Sequence, residues 1–245
     1  MKSVRLRDIS RQLSQEVSSL SFGPPVTHLY DPLDDARIPL EAYLERFGKA
    51  PKRVLLVGMN PGPFGMAQTG VPFGDTVMVR DWLGISGPVG KPHVPHPKRP
   101  IVGFDCSRRE VSGSRLWGWA RDVFGTPECF FSQCFVANYC PLIFMDGSGR
   151  NHTPDRLCAH ERQQLYSACD RALRAVVALL EPSSVVGVGN FAAERAREAL
   201  AERSVRILRL THPSPANPRS HRGWADEASR CIEECGVQLP RARRG

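Results

Sequence analysis

Arg53-Val54-Leu55-Leu56-Val57-Gly58-Met59-Asn60-Pro61-Gly62 opens on an apolar run of strand length and ends in a glycine–proline turn. A run that is apolar at every position, not at alternate ones, suits a strand buried on both faces, as in a parallel sheet covered by helices. Three more strand candidates follow, at Cys134–Ala137, Ser184–Val188 and Val205–Leu210, with helical stretches at Ser114–Phe124, Pro154–Leu180 and Phe191–Arg203 between them. Strands alternating with helices predict an α/β fold: one domain with a central four-stranded parallel sheet flanked by helices. Its site should lie in the loops at the carboxyl ends of the strands. Upstream, Leu6, Ile9, Leu13 and Val17 recur at helical spacing until Gly23-Pro24-Pro25 breaks the run. Pro39 to Phe47 reads as a short helix closed by Gly48. The expected organisation is N-terminal helices over 1–50, a core over 51–236 and a basic tail over 237–245, all in a single domain.

A length of 245 residues suits one α/β domain. With 41% hydrophobic and 24% charged residues the chain is not a disordered one. A formal charge of +8 favours a polyanionic partner. No apolar run reaches the roughly 18 residues of a membrane span. Polar residues follow Met1–Arg7 where a signal peptide would have an apolar core, so the expected location is intracellular: cytoplasmic in a bacterium, nuclear in a eukaryote. Eight cysteines are too few for a disulfide scaffold, and Cys129/Cys134 and Cys231/Cys235 do not make the tight repeated spacing of a metal centre. No metal or other cofactor is expected.

The turn after the first strand lacks the Lys and glycine spacing of a phosphate loop. Glycines and prolines fix its backbone, and Met59, Phe64, Met66 and Phe73 stand between them. Two readings are open: a tight turn over the core, or a rigid apolar slot for a flat ring with Asn60 as the polar group at its floor. Asn138 follows the second strand in Asn138-Tyr139-Cys140-Pro141-Leu142. Its amide places a donor beside an acceptor, which matches O4 and N3–H of uracil and mismatches cytosine. After the fourth strand, Thr211-His212-Pro213-Ser214-Pro215-Ala216-Asn217-Pro218 carries three prolines that stiffen the loop. His212 precedes one of them, which holds its backbone extended. Asn60, Asn138 and His212 thus belong to one edge of the expected sheet.

These motifs resemble those of the uracil-DNA glycosylase superfamily, and within it the single-strand-selective monofunctional branch. Gly-Met-Asn-Pro-Gly-Pro-Phe-Gly-Met-Ala-Gln-Thr-Gly-Val-Pro-Phe-Gly at 58–74 is similar to the first motif of that branch throughout. Asn-Tyr-Cys-Pro-Leu at 138–142, Ser-Gly-Arg-Asn-His-Thr-Pro at 148–154 and His-Pro-Ser-Pro-Ala-Asn-Pro at 212–218 are similar to the later ones, and the likeness runs from about Pro24 to Gly236. The resemblance implies that Asn60 holds the attacking water, that Phe73 stacks on a flipped base and the Met59 backbone contacts it, that Asn138 reads the pyrimidine edge, and that His212 donates to O2 of the departing uracil. Gly62, Phe64 and Met66 complete the implied base pocket. Gly62 and Gly65 lie near the C5 side of the base, where classical uracil glycosylases place a Tyr, and no Tyr occurs between Asn60 and Phe73. Excision of C5-oxidised uracils such as 5-hydroxymethyluracil is therefore expected beside uracil. The motifs hold no Lys able to form a Schiff base, which fits a monofunctional enzyme that leaves the abasic site uncut.

The implied partner is uracil-containing DNA, single- or double-stranded, bound by a monomer. One contact loop is expected at Ser148, Gly149, Arg150, Asn151 and Thr153, with Thr153 capping a helix that starts at Pro154 and offers its N-terminus to a phosphate. The other runs over Pro213, Ser214, Pro215, Ala216, Asn217, Arg219 and Arg222, and within it the Pro215–Arg222 segment, with Asn217, Arg219, His221 and Arg222, is the expected wedge that fills the gap left by the flipped base and grips phosphates. Ala216 and Ser220-His221-Arg222 depart from the family pattern there. Lys91, Lys98, Arg99, Arg108, Arg109 and Arg115 face only Asp105 and Glu110 between 91 and 115, and some of them are expected to meet the DNA backbone. The alternatives are a glycosylase-fold binding module that cleaves nothing, or an enzyme shifted to deaminated purines such as xanthine or hypoxanthine.

Overall fold

The computed structural model describes residues 5–215 and 223–240. The chain opens with α1 (Leu6–Ser18), whose buried face carries Leu6, Ile9, Leu13 and Val17, and with the Asp8 carboxylate accepting from the Arg5 N–H at its start. A short strand β1 (His28–Tyr30) and helices α2 (Pro32–Asp35) and α3 (Arg37–Phe47) lead to the central strand β2 (Val54–Gly58). Then come α4 (Met66–Thr69), α5 (Val111–Phe124), α6 (Pro127–Phe131), β3 (Cys134–Asn138), β4 (Ile143–Met145), β5 (Asn151–His152) and α7 (Ala159–Leu180). The chain ends through β6 (Ser184–Val188), α8 (Asn190–Ala199), β7 (Arg206–Leu210) and α9 (Trp224–Glu234).

The expected four-stranded parallel sheet forms, in the order β3-β2-β6-β7. Val54 to Val57 have no exposed surface, as an uninterrupted apolar strand between two helical layers requires. In register, Val54 faces both Cys134 and Ser184, so Gly58 lies level with Asn138 at the carboxyl edge. From β2 the chain crosses to β3 on one side, while β6 and β7 continue on the other. Such a switch in direction opens a crevice at that edge. One buried core runs from Leu6 of α1 to Val237 beyond α9, with α1 lying along α7 and α8 covering β6 and β7. Among the described residues no helix is long and apolar enough to cross a membrane.

Three departures bear on the site. A second, antiparallel sheet of order β1-β4-β5 was not expected, and it holds the 146–150 loop between β4 and β5. The helix expected over Phe191–Arg203 ends at Ala199. The helix expected from Pro154 divides into a 3-10 turn at Pro154–Arg156 and α7 from Ala159, separated by Leu157 at φ −69°, ψ 157°. Thr153 makes no side-chain capping bond. The cap instead forms at Cys158, whose N–H donates to Glu161 Oε2 at 3.3 Å, while Glu161 Oε1 accepts from Gly23 N–H at 2.6 Å. The cap of α7 therefore lies at Cys158, five residues beyond Thr153, and its glutamate also ties the helix start to Gly23 of the N-terminal segment.

Candidate active site

Asn60 lies two residues past the end of β2. Its Nδ2 donates to Leu142 O at 3.2 Å. A carbonyl accepts only, so this bond fixes the orientation of the amide and leaves Oδ1 as an acceptor with no partner among the described residues. Asn138, level with Gly58, donates through Nδ2 to Met66 Sδ at 3.4 Å. Gly58 itself is a condition of the site. A Cβ built there would stand 2.4 Å from Asn138 Oδ1 and 2.7 Å from the Phe73 ring, closer than side chains approach. The amide and the ring therefore share the space over one α-carbon.

Phe73 is held in the left-handed region at φ 54°, an uncommon conformation for a bulky residue and one that persists only where its surroundings over-determine it. Its carbonyl accepts from the Trp117 indole N–H at 3.0 Å and from the Asp75 N–H at 2.9 Å. Gly113 of α5 lets that helix approach so closely that a Cβ would come 2.0 Å from Phe73 O. Asp75, with no exposed side-chain surface, accepts from Arg109 Nε at 2.6 Å and Nη2 at 2.8 Å, from Ser114 Oγ at 2.9 Å, and from the Met78 N–H at 3.1 Å and the Glu110 N–H at 3.2 Å. Burial alone would raise this carboxyl, but the Arg109 and backbone bonds outweigh it and hold it below its ordinary value. Arg109, one of the six basic residues of which some were expected to meet the DNA backbone, is paired with this buried carboxylate.

His212 stands with its ring centroid 5.9 Å from that of Phe73. The loop that carries it is tied down on several sides: Trp224 Nε1 donates to Thr211 O at 2.7 Å, Glu227 Oε1 accepts from the Thr211 N–H at 3.0 Å, and Arg115 Nη1 donates to Pro213 O at 2.8 Å. Ser214 N–H points at His212 Nδ1 at 3.1 Å. Nδ1 is therefore the acceptor, and a neutral ring carries its proton on Nε2. Burial pushes the imidazolium down to about 4, so the ring is neutral near pH 7.

The remaining expected site residues lie around this group. Met59 O accepts from the Cys140 N–H at 2.9 Å. The Ser148–Arg150 loop is organised by Asp146, which accepts from Ser148 Oγ at 2.6 Å, from the Arg150 N–H at 3.2 Å and from His152 Nε2 at 2.9 Å. Those bonds hold its carboxyl well below the usual range. Gly149 has φ 82°, and Asn151 Nδ2 donates to Pro61 O at 3.4 Å, joining this loop to the turn beside Asn60. Pro213, Ser214 and Pro215 follow His212, whereas Ala216, Asn217, Arg219, His221 and Arg222 lie outside the described residues. Phe64, expected in the base pocket, has its ring under the guanidiniums of Arg108 and Arg99.

Sequence reasoning missed Gly58, Trp117 and Glu110. Glu110 Oε2 would meet a Gly62 Cβ at 2.4 Å, and its Cγ would meet a Gly65 Cβ at 2.9 Å, so this side chain occupies the space that the two glycines leave open. Ser112 Oγ donates to its Oε1 at 2.7 Å, and burial pushes the carboxyl up. It had been visible only as one of two acids in a basic stretch.

A family model described as the uracil DNA glycosylase superfamily matches residues 45–234. The single-strand selective monofunctional uracil DNA glycosylase of Mus musculus is 50% identical over 228 residues, which cover 92% of this chain and 82% of that protein. Its counterpart in Bos taurus is 49% identical over 228 residues, covering 92% and 84%. Among solved structures, the crystal structure of wild-type SMUG2 from Pedobacter heparinus aligns with a TM-score of 0.71 at 19% identity, over 96% of this chain and 99% of that one, a likeness of fold.

Proposed function

The chain belongs to the uracil DNA glycosylase superfamily, and on that premise we propose that this DNA glycosylase acts as a monomer, flips uracil and C5-oxidised uracils out of single- or double-stranded DNA and hydrolyses the N-glycosidic bond, leaving an abasic site. The observation that carries the reading is the meeting of Phe73, Asn138 and His212 at one sheet edge, where Asn60 is oriented by its Nδ2 bond to Leu142 O.

The chemistry follows from what these groups cannot do. An amide does not take up a proton near neutral pH, so Asn60 positions a water and does not deprotonate it. That suffices if bond breaking runs ahead of attack and the sugar is already an oxocarbenium-like cation. Rate then depends on stabilising the uracil anion as it departs. A neutral His212 with its proton on Nε2 serves as a fixed donor to O2, aimed before charge develops. Phe73 offers a face for stacking and Asn138 a paired donor and acceptor for the pyrimidine edge. Lys52, the buried lysine among the described residues, donates to Phe131 O at the opposite end of the sheet and so stands away from these groups.

The C5 side of the base supports the wider substrate range. No tyrosine occurs between Asn60 and Phe73; the space beside Gly62 is not empty, as the glycines alone suggested, but holds the Glu110 carboxyl, a polar group able to accept from a hydroxymethyl or a bridging water. Thymine brings a methyl that replaces no hydrogen bond. In competition within one duplex context, 5-hydroxymethyluracil should be excised alongside uracil and thymine poorly. Hydroxymethyluracil cut no faster than thymine would restrict the enzyme to uracil.

A further inference from the structure

Arg108 and Arg109 are neighbours in sequence with opposite fates. Arg109 is spent on the buried Asp75. Arg108 has no carboxylate partner among the described residues, and its guanidinium lies 3.9 Å from the centroid of the Phe64 ring. Arg99, from a separate loop, brings a second guanidinium within 5.3 Å of the same centroid, and it donates to the Lys98 carbonyl at 2.9 Å, with no carboxylate partner among the described residues. Two uncompensated positive charges thus share one aromatic ring, four residues beyond Asn60.

The loop that supplies Arg99 is anchored. Tyr30, 1% exposed, donates through its hydroxyl to Arg99 O at 2.8 Å and accepts from the His96 N–H at 2.7 Å. His96, also 1% exposed, receives the Lys98 N–H on Nδ1 at 3.0 Å, and its Nε2 reaches Gly147 O at 3.2 Å. The same ring lies so close to Gly149 that a Cβ there would come within 3.0 Å. The basic loop is thereby locked to the Ser148–Arg150 turn and, through Asn151 and Pro61, to the turn of Asn60. A guanidinium stacked on a ring keeps its N–H edge free for bidentate contact, and the stack restrains its rotamers before any ligand arrives. Phosphate is the anion that matches such a fork.

We propose that Arg99 and Arg108, stacked on Phe64, form a phosphate-binding ledge that grips the backbone of the DNA strand beside the extruded nucleotide. This inference rests on the glycosylase reading for its partner, but it concerns a subsite outside the base pocket. It also assigns Phe64 to positioning cations and not to touching the base.

The test is binding of a single-stranded oligonucleotide, with and without one uracil, measured by anisotropy across 50–200 mM salt. Each lost phosphate contact lowers the steepness of log K against log salt by about 0.7 for single strands. R99Q/R108Q should therefore flatten the slope by roughly 0.7–1.4, equally with and without uracil. F64L keeps both charges but removes the stack; it should weaken binding severalfold with the slope retained. R203Q removes an exposed charge just ahead of β7, at the opposite end of the sheet, and should leave the slope unchanged. A double variant that binds with the slope and affinity of R203Q, or an F64L that binds like wild type, would overturn the ledge. Absence of uracil excision by the wild-type protein would sink the glycosylase reading instead, and the slopes remain measurable in either case.

Discussion

Asn60→Ala is expected to lose excision by on the order of 10²–10⁴-fold in single turnover while binding uracil-containing DNA nearly as tightly as wild type. The separation of rate from binding follows from the geometry. Among the described residues the side chain bonds only through Nδ2 to Leu142 O, which on the proposed reading leaves Oδ1 to the water. Truncation leaves the water without its acceptor but leaves Phe73, Asn138 and the loops that meet DNA in place. Binding that falls in step with rate would instead make Asn60 a structural residue of the turn.

His212→Ala should slow the chemical step about 10²–10³-fold, the usual effect of removing one donor to a developing anion. A change below about tenfold in a folded variant would end the leaving-group role. The protonation state supplies a second, independent readout. Burial holds the imidazolium near 4, below the unfolded value of 6.5, and the proposed role as donor to O2 uses the neutral ring. The profile of kcat/KM, which reports the free enzyme, should therefore run flat from pH 8 down through 6.5 and fall only as the pH approaches 4. Stability has the same sign. A group whose folded pKa is depressed binds protons more readily when unfolded, so its contribution is complete above pH 6.5 and is lost as the pH falls from 6.5 towards 4. Activity that declines as pH rises through 6.5 would mean that an imidazolium acts and would contradict the assignment.

The parallel sheet was legible because each strand is a run of apolar residues that no amphipathic surface element could carry, with Val54–Val57 the clearest case. The antiparallel sheet was not, because strands of three, three and two residues are too short to display a period of two. The cap assigned to Thr153 failed for a related reason: Thr-Pro has the composition of a helix start, but the extended backbone at Leu157 interrupts it and Glu161 completes the cap at Cys158. Within the site, Asn60, Asn138 and His212 could be placed at one edge because each follows a readable strand. What brings Phe73 to them could not be read. Its left-handed backbone, the Trp117 indole on its carbonyl and the close approach of Gly113 are tertiary facts with no local signature. Nor does a sequence tell a spent arginine from a free one. Arg109 and Arg108 look alike until Asp75 is seen to take the first.

The central claim is that these groups break one bond, between uracil and its sugar, and no other. An oligonucleotide with a single labelled uracil, held with excess enzyme and divided into alkali-treated and untreated halves, tests it most directly. One free uracil is expected for every alkali-labile site formed, with the untreated strand intact. Strand breakage before alkali, or no release of free base from a folded protein that binds the oligonucleotide, would contradict it.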